Sequence, residues 1–291
     1  MRPSIENLPP EQPALGLPTS EQIAAQVAAE LQQDIGSGDI SAALLPNLAT
    51  SASIIARERV LVCGLAWASE AFHQCDGEAS IDWLVTDGEW VDADQPWGCI
   101  RANNRALLSA ERTALNFLQI LSGTATATAE LVELVRGTGV KLLDTRKTIP
   151  GLRLAQKYAV RIGGGRNHRM GLFDEYLLKE NHLAQSSSLT AAIRAARAAN
   201  PHVPLVVEVE TLAQLAEALE AAPDRILLDN FDLPAIVRAV ALADGRVRLE
   251  VSGGVHPKNL RSLAMTGVDY ISIGGLTKHL RAVDLSMRIV K

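Results

Sequence analysis

Between Asp144 and His182 the chain reads DTRKTIPGLRLAQKYAVRIGGGRNHRMGLFDEYLLKENH, where eight Lys/Arg stand against four Asp/Glu. The chain as a whole has a formal net charge of −5, so this local +4 leaves −9 for the remainder. Cations gathered in one segment of an acidic chain suit a polyanionic ligand. Inside the segment, RIGGGRNHR sets the run Gly163–Gly165 among arginines. Without a Cβ, such a loop lets backbone amides approach anionic oxygens. Standing alone the run reads as a plain turn; its neighbours Arg161, Arg166 and Arg169 tilt it toward anion binding. The chemistry these residue types suggest is a phosphate and carboxylate site.

The elements that must position them are legible from texture. At 291 residues, with 47% hydrophobic, 21% charged and 4% aromatic side chains, the chain suits two compact α/β units with a sizeable core. No apolar run reaches eighteen residues, and the opening MRPSIENLPPEQPALGLP lacks the basic-then-apolar order of a secretory signal. The expectation is a cytoplasmic protein with no membrane segment. Cys63, Cys75 and Cys99 are odd in number and share no CxxC spacing, so they read as buried thiols, with neither a disulfide framework nor a zinc site. The acidic balance argues against wrapping nucleic acid, which needs a broad basic face.

After a proline-rich arm through Pro18, Thr19–Ser20 caps a pattern of Ile23, Val27 and Leu31 that predicts a helix ending near Gly36. A strand is expected over Ser51–Gly64, a helix over Leu65–Gln74, and antiparallel strands Ile81–Val85 and Gly88–Val91 around an Asp87–Gly88 turn. A helical stretch Arg105–Arg136 follows, interrupted near Gly123. Asp39, in GSGDIS, reads as a turn or cap former. From Val140 onward short apolar runs (Val140–Asp144, Tyr176–Lys179, Leu205–Glu210, Arg225–Asp229, Arg248–Ser252, Tyr270–Gly274) are separated mostly by helical patterns. That alternation means parallel strands with crossover helices. Nearly every run ends in a polar residue or glycine at its carboxyl end, where a barrel builds its site. Six strands are fewer than a complete barrel's eight. The fold class is α/β: an N-terminal α+β sandwich domain over residues 1–115, then a C-terminal incomplete (β/α) barrel of about six parallel strands over 116–279, with 280–291 returning to the first domain.

Eight ordered motifs carry a family resemblance: ERTALNFLQILSGTAT (Glu111–Thr126), DTRKTIPGLR (Asp144–Arg153), GGGRNHRMGLFD (Gly163–Asp174), LLKENH (Leu177–His182), VEVE (Val207–Glu210), LLDNF (Leu227–Phe231), EVSGGV (Glu250–Val255) and ISIGGLTKH (Ile271–His279). Together they make the chain resemble the quinolinate phosphoribosyltransferases, also named nicotinate-nucleotide pyrophosphorylases (carboxylating). The resemblance runs from the first helix to the C-terminus, and an ordered set of this length is far more specific than one glycine signature. It implies that quinolinate and phosphoribosyl pyrophosphate give nicotinate mononucleotide, CO2 and pyrophosphate in de novo NAD biosynthesis. It also implies Mg2+ accompanying the pyrophosphate, and a homodimer with shared active sites, a higher oligomer being left open.

The resemblance assigns roles residue by residue. Arg146, Lys147, Arg169 and Lys179 would bind the two carboxylates of quinolinate and the phosphates, with Thr145 beside them. Guanidinium forks match carboxylates, and lysine supplies a compact point charge. Arg112 matches the arginine that reaches into the partner's site. Glu208 and Asp229 match the acids that contact the ribose hydroxyls directly or through the metal, favouring the oxocarbenium-like sugar cation. Lys147, Lys179, Glu208 and Asp229 are the catalytic candidates. Ser252, Gly253 and Gly254, with Gly274, Gly275 and Leu276, would surround the 5′-phosphate; Gly275 stands where the family more often has Ala. His168 ranks below the arginines as a carboxylate donor. No organic cofactor is implied, because the ribosylated pyridine ring is itself the electron sink for decarboxylation.

Bland readings stand beside these. Arg153, Lys157 and Arg161 read as solvated helix side chains, Asp144 as a group orienting Arg146, and His182 and His279 as hydrogen-bonded fixtures. Two other functions remain: a related phosphoribosyltransferase acting on another pyridine or acidic base, and a non-catalytic anion-binding barrel. A monocarboxylate would need fewer arginines than Arg112, Arg146 and Arg169 supply, and a pure anion binder gains nothing from two acids in its pocket.

Overall fold

The computed structural model describes residues 16–180, 186 and 188–290. Most of the expected N-terminal arm, and His182, lie outside the described residues. Two compact units emerge, one built from residues 16–130, 148–164 and 275–290, the other from 131–147, 165–180, 186 and 188–274.

In the first unit, helix α1 (Ser20–Ile35) starts with a capping box, Thr19 accepting from Gln22, and buries Ile23, Val27 and Leu31. The expected strand over Ser51–Gly64 divides into β1 (Ala49–Ala56) and β2 (Val60–Leu61). Strands β3 (Ser80–Trp83) and β4 (Trp90–Val91) flank Asp87–Gly88 but do not form the expected hairpin. Instead β3 pairs with β5 (Gly98–Asn103), while β4 pairs with β2. Asp87 shows why: its carboxylate accepts the Gly64 and Leu65 amides (3.0 and 3.2 Å) at the start of α2 (Leu65–Cys75), and the Tyr158 hydroxyl at 2.8 Å. It anchors a helix instead of closing a strand turn. The last strand, β12 (Leu285–Val290), runs antiparallel to β1 with Ile54 opposite Met287, giving the order β12-β1-β5-β3.

Helix α3 (Asn104–Leu134) is continuous through the expected interruption near Gly123, and through residue 115, where the domain boundary was expected. Gly123 has a packing purpose: an added Cβ there would collide with the Arg281 carbonyl oxygen. Helix α4 (Arg153–Ile162) completes a core containing Trp67, Phe72, Trp97, Leu107, Leu115 and Leu118. Lys157 on α4 is fully buried, not solvated as its type suggests, and of the three cysteines only Cys63 is buried, Cys75 and Cys99 being half-exposed. Asp39 is a cap: its Oδ1 accepts the Ser41 and Ala42 amides.

The second unit is a six-stranded parallel sheet: β6 (Lys141–Leu143), β7 (Tyr176–Leu178), β8 (Leu205–Val209), β9 (Arg225–Asp229), β10 (Arg248–Ser252) and β11 (Tyr270–Ser272), in the order β6-β11-β10-β9-β8-β7. Helices α5 (Leu189–Ala199), α6 (Leu212–Ala221), α7 (Leu233–Ala243) and α8 (Pro257–Ala264) make the crossovers between β7 and β11. Ser188, Thr211 and Asp232 cap the first three of these helices. Strand β8 is buried along its whole length, as expected when both faces of a sheet are covered. β6 joins at β11, so the order is that of a barrel open between β6 and β7. Arg166 lengthens the β6 edge by one bridge, donating its amide to the Leu142 carbonyl (2.8 Å) and accepting from the Asp144 amide (3.1 Å).

Candidate active site

Because all six strands are parallel, their carboxyl ends share one rim, and that rim holds most of the residues singled out from sequence. Thr145, Arg146 and Lys147 follow β6; Lys179 follows β7; Glu208 is the fourth residue of β8; Asp229 and Ser252 end β9 and β10. Gly253 and Gly254 come next, with φ of 86° and 61°, and Gly274 lies two residues beyond β11. The Lys147 amide donates to Thr145 Oγ1 at 3.1 Å, tightening the turn after β6. An added Cβ at Gly274 would lie 2.9 Å from Lys147 Cδ, so the glycine allows the lysine stem to cross the end of β11. Gly275 and Leu276 open the short helix α9 (Gly275–Lys278), and Arg112 lies on the exposed side of α3; these three belong to the first unit.

Charge on the rim is paired in one place and crowded in another. Lys179 Nζ sits 2.5 Å from Glu208 Oε2, the lysine side chain 42% exposed and the glutamate 7%. Burial pushes the Glu208 carboxyl above the ordinary range, Lys179 opposes that shift, and the nearby charge of Asp229 adds to it. Arg169 is only 9% exposed; burial, and then the neighbouring Arg146 guanidinium, lower its pKa. A largely buried Arg169 with the Arg146 charge nearby favours an anion beside it. Two acids on adjacent strands and crowded cations therefore occupy one rim.

Residues 39–122 match the family model described as the quinolinate phosphoribosyl transferase N-terminal domain, and residues 124–288 match its C-terminal domain. The chain belongs to the quinolinate phosphoribosyltransferase family. A nicotinate-nucleotide pyrophosphorylase [carboxylating] of Mycobacterium leprae is 44% identical over 240 residues, covering 81% of this chain and 84% of that protein. A probable nicotinate-nucleotide pyrophosphorylase [carboxylating] of Bacillus subtilis is 38% identical, covering 88% and 90%. The solved nicotinate-nucleotide pyrophosphorylase of Francisella tularensis superposes with a TM-score of 0.94 at 44% identity, over 96% of this chain and all of that one. Human nicotinic acid phosphoribosyltransferase, at 15% identity and a TM-score of 0.58, shares the fold.

Several groups of this family member were not singled out from sequence. Beneath the rim, Arg225 Nη2 lies 3.0 Å from Glu175 Oε2 and its Nε 2.9 Å from Glu250 Oε2. His168 joins them, Nδ1 3.2 Å from Glu175 and Nε2 3.6 Å from Glu250, so its 7%-exposed ring faces inward rather than toward the open rim. Burial raises Glu175 to about 7 despite Arg225, and the Glu250 carboxyl is also pushed up by burial. The available signal was charge at same-parity positions in otherwise apolar strands: Arg225 and Asp229 on β9, Arg248 and Glu250 on β10. Asp144, expected to orient Arg146, accepts the His168 amide at 2.9 Å and the Asn167 side-chain amide at 2.5 Å. It therefore fixes the segment that carries His168 and Arg169.

Among the described residues no group of three or more His, Cys, Asp or Glu is gathered as a metal cage. Mg2+ commonly takes one or two carboxylates and completes its shell with substrate phosphates and water. The oxygen-only pair Glu208 and Asp229, on adjacent strands, fits that donor set. No helix among the described residues is long and apolar enough to cross a membrane. A cavity of about 730 Å3 in the first unit, with Gln32, Asp76, Asn103 and Arg105 in its lining, contains none of the predicted site residues. Its polar groups are engaged internally: Arg105 donates to the Leu45 carbonyl and Asp76 accepts the Asn103 amide.

Proposed function

We propose that this chain transfers the phosphoribosyl group of phosphoribosyl pyrophosphate to quinolinate, with loss of CO2, to give nicotinate mononucleotide and pyrophosphate for NAD biosynthesis. The observation that carries the reading is the meeting of crowded cations, Arg146 and Arg169, with the acid pair Glu208 and Asp229 on one rim. Glycosyl transfer of this kind builds positive charge at the anomeric carbon while negative charge collects on the departing pyrophosphate. Arg146, Arg169, Lys147 and Lys179 hold the carboxylates of quinolinate and the phosphates; Glu208 and Asp229 hold the ribose and favour its cation. Glu208 and Asp229 would also hold Mg2+, which supplies charge neutralisation on the leaving group. Ser252, Gly253, Gly254, Gly274, Gly275 and Leu276 receive the 5′-phosphate through backbone amides. After transfer the ring nitrogen is cationic and accepts the electron pair left by the adjacent carboxylate, so the chain's task is to hold that carboxylate away from water.

The proposal includes a homodimer in which Arg112 completes the partner's site, and a cytoplasmic location. What supports the dimer is exposed apolar side chains close together in sequence in the same unit as Arg112: Ile40 and Leu44 are each 86% exposed and Leu48 58%. Steady-state kinetics of Arg146→Ala and Lys179→Ala test the site. Both should lose two or more orders of magnitude in kcat/KM, while Cys63→Ser, which changes a buried thiol in the other unit, stays within about twofold of wild type. Equal activity in all three removes the site assignment.

A further inference from the structure

In LLDNF the residue after the β9 acid is Asn230, and it holds two parts of the rim at once. Its side-chain Nδ2 donates to Asp229 Oδ2 at 2.8 Å. Its backbone amide donates to the Ser252 carbonyl at 3.0 Å, and its Oδ1 fills the space that a Cβ on Gly253 would need. The backbone of Asn230 is left-handed, with φ 55°, a conformation that asparagine tolerates better than most residues. The neighbours fix which way round the amide lies, since only its N–H side can face a carboxylate.

We propose that Asn230 is a positioning residue that locks the Asp229 carboxylate to the Ser252–Gly254 loop, and so sets the distance between the groups that receive the ribose and its 5′-phosphate. This rests on the roles proposed above for Asp229 and the glycine loop. Its physical basis is that one planar side chain spans both elements. The Nδ2–H···O bond holds the Asp229 carboxylate toward Asn230, and the contact of Oδ1 with Gly253 keeps the loop's left-handed turn against β9. Asp229 and the glycine loop are assigned to the phosphoribosyl group, so the lock governs phosphoribosyl pyrophosphate and leaves quinolinate binding alone.

Two substitutions separate this role from a purely conformational one. Asn230→Gly keeps the left-handed backbone and removes the amide. Asn230→Asp keeps the size and tolerates the same backbone, but sets a carboxylate against a carboxylate. If the residue served the backbone alone, both variants would match wild type. The lock predicts that kcat/KM for phosphoribosyl pyrophosphate falls about tenfold in Asn230→Gly, the loss of one charge-assisted bond, and about a hundredfold in Asn230→Asp, where repulsion is added. The quinolinate dissociation constant and the thermal midpoint of both variants should stay near those of wild type. Asn230→Asp within twofold of wild type, or an equal loss of quinolinate binding, overturns the proposal. Asp229→Ala serves as the control: full activity there overturns the reading of the site itself, whereas an inactive Asp229→Ala beside a wild-type Asn230→Asp overturns only the lock.

Discussion

Glu175 and His168 show how far a residue's surroundings depart from its type. Burial raises Glu175 to about 7; the charges of Glu250 and Asp174 add to that shift, and Arg225 and Arg169 offset it only in part. The native state then holds a proton that the unfolded chain releases near pH 4.5. Between these values the native state binds more protons, so stability falls as pH rises, by at most about 1.4 kcal/mol per pH unit. Glu175→Gln removes that titration. Denaturant unfolding at pH 5, 6, 7 and 8 should show wild type losing stability relative to Glu175→Gln across the window; a constant difference contradicts the raised pKa. Ligand-type residues were legible from sequence because Arg, Lys and acids at strand ends have a recognisable chemistry. The buried quartet was not, since Glu175 and Glu250 look like surface carboxylates until the sheet turns them inward.

At the scale of elements, periodicity identified the parallel strands and crossover helices well, because each is a local pattern with its own cap. Arg225–Asp229 and Arg248–Ser252 fall where the periodicity placed them, with a helix between them. It failed where a local signal served a distant contact. The Asp87–Gly88 turn resembled a hairpin because the bonds from Asp87 to α2 and Tyr158 are invisible in sequence. Gly123 resembled a helix break because its purpose, close approach of the Arg281 carbonyl, comes from residues more than 150 positions away. Gly123→Ala therefore sets two effects against each other: about 1 kcal/mol of helix propensity gained, and about 1–3 kcal/mol of overpacking lost. The prediction is a lower thermal midpoint and a continuous α3. A raised midpoint would mean that the backbone contact yields without cost.

For the whole molecule, the distribution of the proposed machinery over two units has a functional consequence. The rim residues lie in the unit of the parallel sheet, while Arg112, Gly275 and Leu276 lie in the other. If Arg112 serves the partner's site, mixing Arg112→Ala with Lys179→Ala chains restores activity that neither has alone. With random exchange half the dimers are hybrids and half of their sites are intact, so recovery should approach about a quarter of wild type. No recovery despite demonstrated subunit exchange means that Arg112 acts within its own chain or not at all. Sequence motifs carried the family because they are contiguous; the expectation of a dimer came only through the resemblance, since Ile40 and Leu44 announce themselves only as exposed side chains on a folded surface.

The central claim is transfer with decarboxylation, and the most direct measurement follows the carbon that leaves. The protein is incubated with phosphoribosyl pyrophosphate, Mg2+ and quinolinate labelled in the carboxylate next to the ring nitrogen, and nicotinate replaces quinolinate in a parallel reaction. The expected result is labelled CO2 and nicotinate mononucleotide in equal amounts, with little turnover of nicotinate. Mononucleotide formed from nicotinate at a comparable rate, or no product from either base, would contradict it.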